Sequence, residues 1–204
     1  MTETSGGAAA VVAPAADPSR ARHVPGEPGL WVLVLGDMSV FVVFFATYLV
    51  VRSGDPVGFD VAQARLDPVP GVVNTLVLLL SSLLVVRAVQ ALRAGRSRRA
   101  TVLLGGAMAC AVMFSVIKAL EWGAKFGAGI TPTTHEFFMY FFVLTGLHWL
   151  HVLAGLVALV LMTAACRRPD RLPGRLPLFE GAACFWHMVD LLWIVLFPLL
   201  YLVR

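Results

Sequence analysis

Long apolar stretches, separated by short polar connections, set the pattern of this chain. Five of them reach the roughly 20 residues that a helix needs to cross the hydrocarbon core of a bilayer. They are residues 30–51, 71–92, 100–122, 137–166 and 181–203. Open strands leave backbone groups unsatisfied in lipid, so the pattern predicts helices throughout. The expected architecture is all-α, a five-helix transmembrane bundle over residues 29–204. The fourth stretch is the longest and predicts a tilted or extended helix. Pro198 predicts a bend or an end near the close of the fifth.

Composition agrees. The chain is 59% hydrophobic with a mean hydropathy of +0.83, and only 14% of its residues are charged, against about 25% for an ordinary soluble domain. The net charge of +4 is not arranged as a nucleic-acid patch, because the basic residues cluster in the connections. Residues 1–28 are rich in Ala, Gly and Pro. Glu3 stands where a signal peptide is basic, which favours a disordered cytoplasmic tail over a cleaved leader. Cys110, Cys166 and Cys184 have no metal-like spacing and are expected as small apolar residues.

The connections alternate in charge. The tail, the second connection and the fourth carry ten cationic residues: Arg20, Arg22, Arg93, Arg96, Arg98, Arg99, Arg167, Arg168, Arg171 and Arg175. The opposite side carries four, Arg52, Arg65, Lys125 and Arg204. The positive-inside rule then places the N-terminus in the cytoplasm and the C-terminus outside, in a multi-pass protein of the cell's inner membrane. Arg96, Arg98, Arg99, Arg167 and Arg168 are topology determinants in the first place and candidates for holding phospholipid headgroups in the second. Trp31, Trp122 and Tyr201 stand near span ends, as interfacial anchors do.

Polar residues inside the spans carry the chemistry. They are Asp37 in the first, Lys118 and Glu121 in the third, His148 and His151 in the fourth, and Glu180, His187 and Asp190 in the fifth. Each ionisable group at a helix centre costs about 2.5–3.5 kcal/mol on insertion scales, so these groups should turn inward and find partners. Residues three apart share a helix face. A buried polar seam between the fourth and fifth spans is therefore expected. Three uses of it compete: helix registration, metal or haem ligation, and a proton path. HxxH alone is weak evidence for a metal, and the paired Glu-x-x-His of di-iron bundles is missing from the sequence. Gly105, Gly106, Gly146 and Gly155 are read as packing residues, and the aromatic block from Phe137 to Phe142 as core or lipid-facing.

TGLHWLHVLAG followed by FWHMVDLLWIVLFPLLYL resembles the end of subunit III of the haem-copper oxidases. GLWVLVLGDMSVFVVFFATYLVVR, NTLVLLLSSLLVVRAVQAL and KALEWGAKFGAGI are similar to its earlier helices, and the likeness spans about residues 25–204. It implies an accessory subunit of a cytochrome c oxidase-type complex, supporting assembly, stability and proton uptake of a catalytic subunit I, with phospholipids between its helices. It also implies that haem and copper sit in that partner and none in this chain, which has only five histidines. Asp37, Glu121, His148, His151, His187 and Asp190 match the family's buried polar positions, with His187 and Asp190 expected to bond each other and hold the fifth helix to the fourth and first. The GEPGLW opening, LGDM and the HMVDLLWIVLFPL ending look more like the NorE-type branch, whose members are often associated with nitric oxide reductase though many carry the general label of cytochrome c oxidase subunit III. Two readings from other classes are a stand-alone membrane haem or metal protein using His148, His151 and His187, and a small proton-coupled transporter using Asp37 and Glu121.

Overall fold

A computed structural model of the chain describes residues 28–167 and 176–203. The expected tail and the arginines at 168, 171, 175 and 204 lie outside the described residues. Every regular element among those described is an α-helix: α1 (Pro28–Gly54), α2 (Pro56–Gln63), α3 (Pro68–Arg93), α4 (Ser97–Gly127), α5 (Glu136–Cys166) and α6 (Leu176–Tyr201). All but α2 are long and apolar enough to span a bilayer.

The expected spans are all present, but longer. The third runs to Gly127 rather than residue 122, and the fifth begins at Leu176, so Glu180 lies inside it. Pro198 does not end α6, which continues to Tyr201; the N–H groups of Leu202 and Val203 then both donate to the Pro198 carbonyl.

The short helix α2 was not expected. Its signal lay in two Asp-Pro pairs. The Asp55 carboxylate accepts from the Gly58 N–H at 3.0 Å and opens α2, and the Asp67 carboxylate accepts from the Val69 N–H at 2.9 Å and opens α3. Proline fits the first helical turn, where no N–H partner is needed.

The helices α3 and α4 form a tight antiparallel hairpin, and α6 lies at the centre, touching α1, α3 and α5. The core runs along α6 through the fully buried Trp186, Val189, Trp193, Leu196 and Leu200. Close approach is bought by glycine at two points. A Cβ at Gly155 would stand 2.5 Å from the Trp186 ring, and one at Gly71 would stand 2.5 Å from the Phe197 ring. Gly106 and Gly146 also face neighbouring side chains, whereas Gly105 meets open space and is not a packing glycine. The aromatic block of α5 is core: Phe137, Phe138, Phe141 and Phe142 are all buried.

Candidate functional site: the intramembrane polar groups

The polar residues do not form one seam. They fall into separate clusters, each tying a different pair of helices. Residues three apart on a helix are offset by about 60°, and in a crowded bundle that offset reaches different neighbours.

Near the α2 end of the bundle, Lys118, Glu121 and Tyr201 close a triangle between α4 and α6. Lys118 Nζ donates to Glu121 Oε2 at 2.6 Å and to Tyr201 Oη at 3.1 Å, while the Tyr201 hydroxyl donates to Glu121 Oε1 at 2.6 Å. Lys118 is fully buried. Its ammonium also stands 4.7 Å from the Trp193 ring centroid, and the rings of Tyr201 and Phe141 complete the enclosure. A buried charge requires this degree of partnering. Tyr201 is therefore held inside the bundle. Trp122 donates to Thr145 Oγ1 at 3.2 Å and packs edge-on to Phe142 and Trp149.

The two histidines of HxxH part company. His151 reaches α1, with Nε2 3.0 Å from Asp37 Oδ1, and its Nδ1 stands 2.7 Å from the Leu147 carbonyl. A carbonyl only accepts, so Nδ1 carries a proton. Nε2 then either donates to the Asp37 carboxylate or accepts from its carboxyl O–H. In both cases the pair is neutral overall, which suits its depth. Asp37 and His151 are half-buried rather than buried. His148 is fully buried, but neither ring nitrogen has a hydrogen-bond partner among the described residues. It sits between the rings of Phe114 and Trp193, at centroid distances of 5.6 and 5.1 Å.

On α6, His187 and Asp190 do not bond each other, and His187 does not hold α6 to α5 or α1. His187 Nδ1 lies 2.6 Å from Ser82 Oγ on α3. Glu180, buried on the same side, accepts from Arg93 Nη2 at 2.9 Å and Nε at 3.2 Å. The polar row of α6 thus faces α3, an orientation that the neighbouring serine pair Ser81 and Ser82 could have signalled. Asp190 is 4% exposed, and neither carboxyl oxygen has a hydrogen-bond partner among the described residues. Asn74 on α3, fully buried and in the same condition, was not singled out from the sequence. Among the described residues no three His, Cys, Asp or Glu side chains gather as metal ligands would. The three cysteines are free, two of them buried.

At the opposite end from Lys118, Arg96, Arg98 and Arg99 are exposed at the α3–α4 turn, and Arg167 follows the last residue of α5. Arg168 lies outside the described residues. Arg87, one of the exposed residues of α3, was passed over because it falls inside an apolar run.

Fold and polar groups together define a class: a multi-pass helical membrane protein whose intramembrane ionisable groups mostly serve helix–helix contacts. The family model for cytochrome c oxidase subunit III matches residues 27–203. The chain belongs to the cytochrome c oxidase subunit III family. It is similar to a cytochrome bo(3) ubiquinol oxidase subunit 3 from Pseudomonas putida, 31% identical over 177 residues, covering 85% of this chain and 84% of the relative. A cytochrome c oxidase subunit 3 from Synechocystis is 30% identical over 192 residues, covering 91% and 81%. A heme-copper oxidase subunit I+III from Aeropyrum pernix is 28% identical over 184 residues, covering 85% of this chain and 22% of that longer protein.

Proposed function

We propose that the chain is an accessory, non-redox subunit of a haem-copper terminal oxidase, seated beside a catalytic subunit I that holds the haem and copper. The carrying observation is the divergence of its histidines. His148, His151 and His187 contact different partners on different helices, which favours the accessory reading over a stand-alone metal or haem protein. The name of the Aeropyrum relative, subunit I+III, joins the two kinds of subunit in one polypeptide, which supports a direct neighbour relation in separate-chain complexes. The role is mechanical: fixed pairs between helices hold the bundle that supports assembly, stability and proton uptake of the catalytic subunit. The positive-inside count supports a cytoplasmic N-terminus and an external C-terminus.

The relatives' names divide between ubiquinol and cytochrome c oxidases, so the electron donor is set by the partner. A second reading, an accessory subunit of nitric oxide reductase, is favoured by Asp37 within LGDM. Mild-detergent purification of the tagged chain from its native membrane, with mass spectrometry of the co-purifying proteins, decides between them. A co-purifying oxidase subunit I is expected. A nitric oxide reductase catalytic subunit in its place would transfer the chain to the second reading. Recovery alone with stoichiometric haem would overturn both.

A further inference from the structure

The facing sides of α5 and α6 leave a hollow of about 500 Å³, walled by Ala158, Met162 and Ala165 of α5 and by Leu178, Phe179 and Ala182 of α6. We propose that residues 8–16 of this same chain dock in the hollow and fasten its N-terminal segment to the bundle.

The hollow continues a seat that α1 already fills. Asp37 bonds His151, and the Tyr48 ring stands 5.6 Å from that of Tyr140. Both pairs fit one antiparallel register of α1 on α5, which sets Pro28 opposite Val160. The Tyr48 hydroxyl bonds the Leu199 carbonyl, and the parallel register through that contact sets Pro28 opposite Phe179. The two registers agree: the first residue of α1 stands at the level of the hollow. Ala158, Met162 and Ala165 lie on the stripe of α5 that carries His151, at helical spacing from it. Leu178 and Ala182 share a stripe of α6 with Phe185, whose ring centroid is 6.4 Å from that of His151. Along this face α1 is seated by Phe41 and Val34, both buried, and by the half-buried Trp31. Past the start of α1 the face runs on for about five residues of α5, roughly 7.5 Å of helix. Met162 and Phe179 form its buried floor, and Leu161 and Leu178 stand exposed at its rim.

The occupant follows from what gains by entering. Lipid chains and the hollow are equally apolar, so an acyl chain gains little by moving from one to the other. An apolar segment that otherwise faces water gains its transfer free energy. Residues 8–16 read AAAVVAPAA, small and apolar throughout. The walls are rich in alanine as well, and small residues let a second backbone come close. Alanine is the best helix former, so a turn through residues 8–13 satisfies its own backbone groups in the hollow. Residues 17–27 join this run to Pro28. Their extended reach of about 36 Å exceeds what the return requires, and a flexible loop of that length closes at modest entropic cost. Charge fits at the far end, where Asp17 follows the run and the exposed Arg167 follows the last residue of α5.

The test places photo-leucine at Val12 in the full chain, irradiates native membranes and maps the adducts by peptide mass spectrometry. Adducts on Leu161, Met162, Leu178 or Phe179 are expected, and photo-leucine in place of Thr4 should give none there. V11D should abolish the adducts of the Val12 probe, because a carboxylate resists entry into an apolar hollow. It alters no residue of the bundle, so misfolding does not imitate the loss. Adducts on acyl chains in place of the hollow would show the segment lying in the bilayer. Adducts on a co-purifying protein would assign it to a partner subunit, and quenching of the probe by water would leave it in solvent. Hollow adducts undiminished by V11D would show nearness through the tether alone. Each of these four results overturns the proposal.

Discussion

The first and last membrane helices are alike as strings of letters and opposite as parts of the molecule. The most apolar stretch of α1 has a mean hydropathy of 2.1 and that of α6 has 1.9, yet 17% of the first is buried inside the protein against 61% of the second. Hydropathy measures transfer into an apolar medium, and lipid and protein core are equally apolar. It cannot say which helix is central. Small residues and polar groups can, because neither lowers the free energy of a helix in lipid. The central helix carries Glu180, His187, Asp190 and the Tyr201 hydroxyl, whereas α1 carries Asp37 within the membrane and turns Ser39 and Thr47 back to its own carbonyls.

The contrast is tested hardest at Lys118. Removing one member of a buried ion pair leaves the other charge uncompensated, at about 3–5 kcal/mol. Lys118→Ala strands Glu121 against Tyr201 and should lower the thermal midpoint in detergent more than any other single change discussed. Replacing the pair together, as K118M/E121L, should recover most of that loss. A single variant that melts with the wild type would show that the α4–α6 triangle does not hold the centre together.

Glycine substitution reads the helix–helix distance directly. Gly155→Ala places a methyl group 2.5 Å from a Trp186 ring carbon, and a rigid indole at the core cannot step aside. Overpacking of this kind costs about 1–3 kcal/mol. An unchanged midpoint would mean that α5 and α6 are not in the close contact described.

The attachment of α1 is weaker and includes three polar ties: Asp37 to His151, the Tyr48 hydroxyl to the Leu199 carbonyl at 3.3 Å, and Arg52 at its end. Asp37→Ala leaves His151 Nε2 unpartnered, for about 1–3 kcal/mol. A double-mutant cycle with His151→Ala should show a coupling of at least about 0.5 kcal/mol. Additive losses would remove the link from the account of how α1 is held. Arg52 bonds the Val203 carbonyl and Asp60 Oδ1 and so fastens the end of α1 to α2 and to the segment after α6.

Much of this was legible in the sequence, and the failures have physical causes. The five spans follow from apolar run length alone. The inward polar residues follow from their insertion cost. Their partners did not follow, because a helix face is known from sequence only relative to itself. His187 was matched to Asp190 and the fourth span; it belongs to Ser82 on α3, which the sequence places 105 residues away. Arg87 and Asn74 were hidden inside apolar runs, where one polar residue barely moves an average. The helix α2 was hidden for the opposite reason. It is too short for periodicity, and only its capping aspartate and proline gave it away.

The smallest expected effect separates the two helices most cleanly, because it should have the opposite sign to its counterpart in the core. Gly36 lies in α1 with nothing within 4 Å of the position a Cβ would take. Alanine there meets no neighbour, and it removes backbone freedom from the unfolded chain, for a gain of about 0.4–1 kcal/mol. Gly36→Ala should therefore raise the thermal midpoint slightly while Gly155→Ala lowers it. A purified complex adds a further use for the same variant. If Gly36→Ala stabilises the isolated chain but weakens its co-purification with the catalytic subunit, the open face of α1 around Gly36 is covered by that subunit. If it stabilises both alike, that face of α1 meets lipid in the assembled complex, and its low burial is its final state.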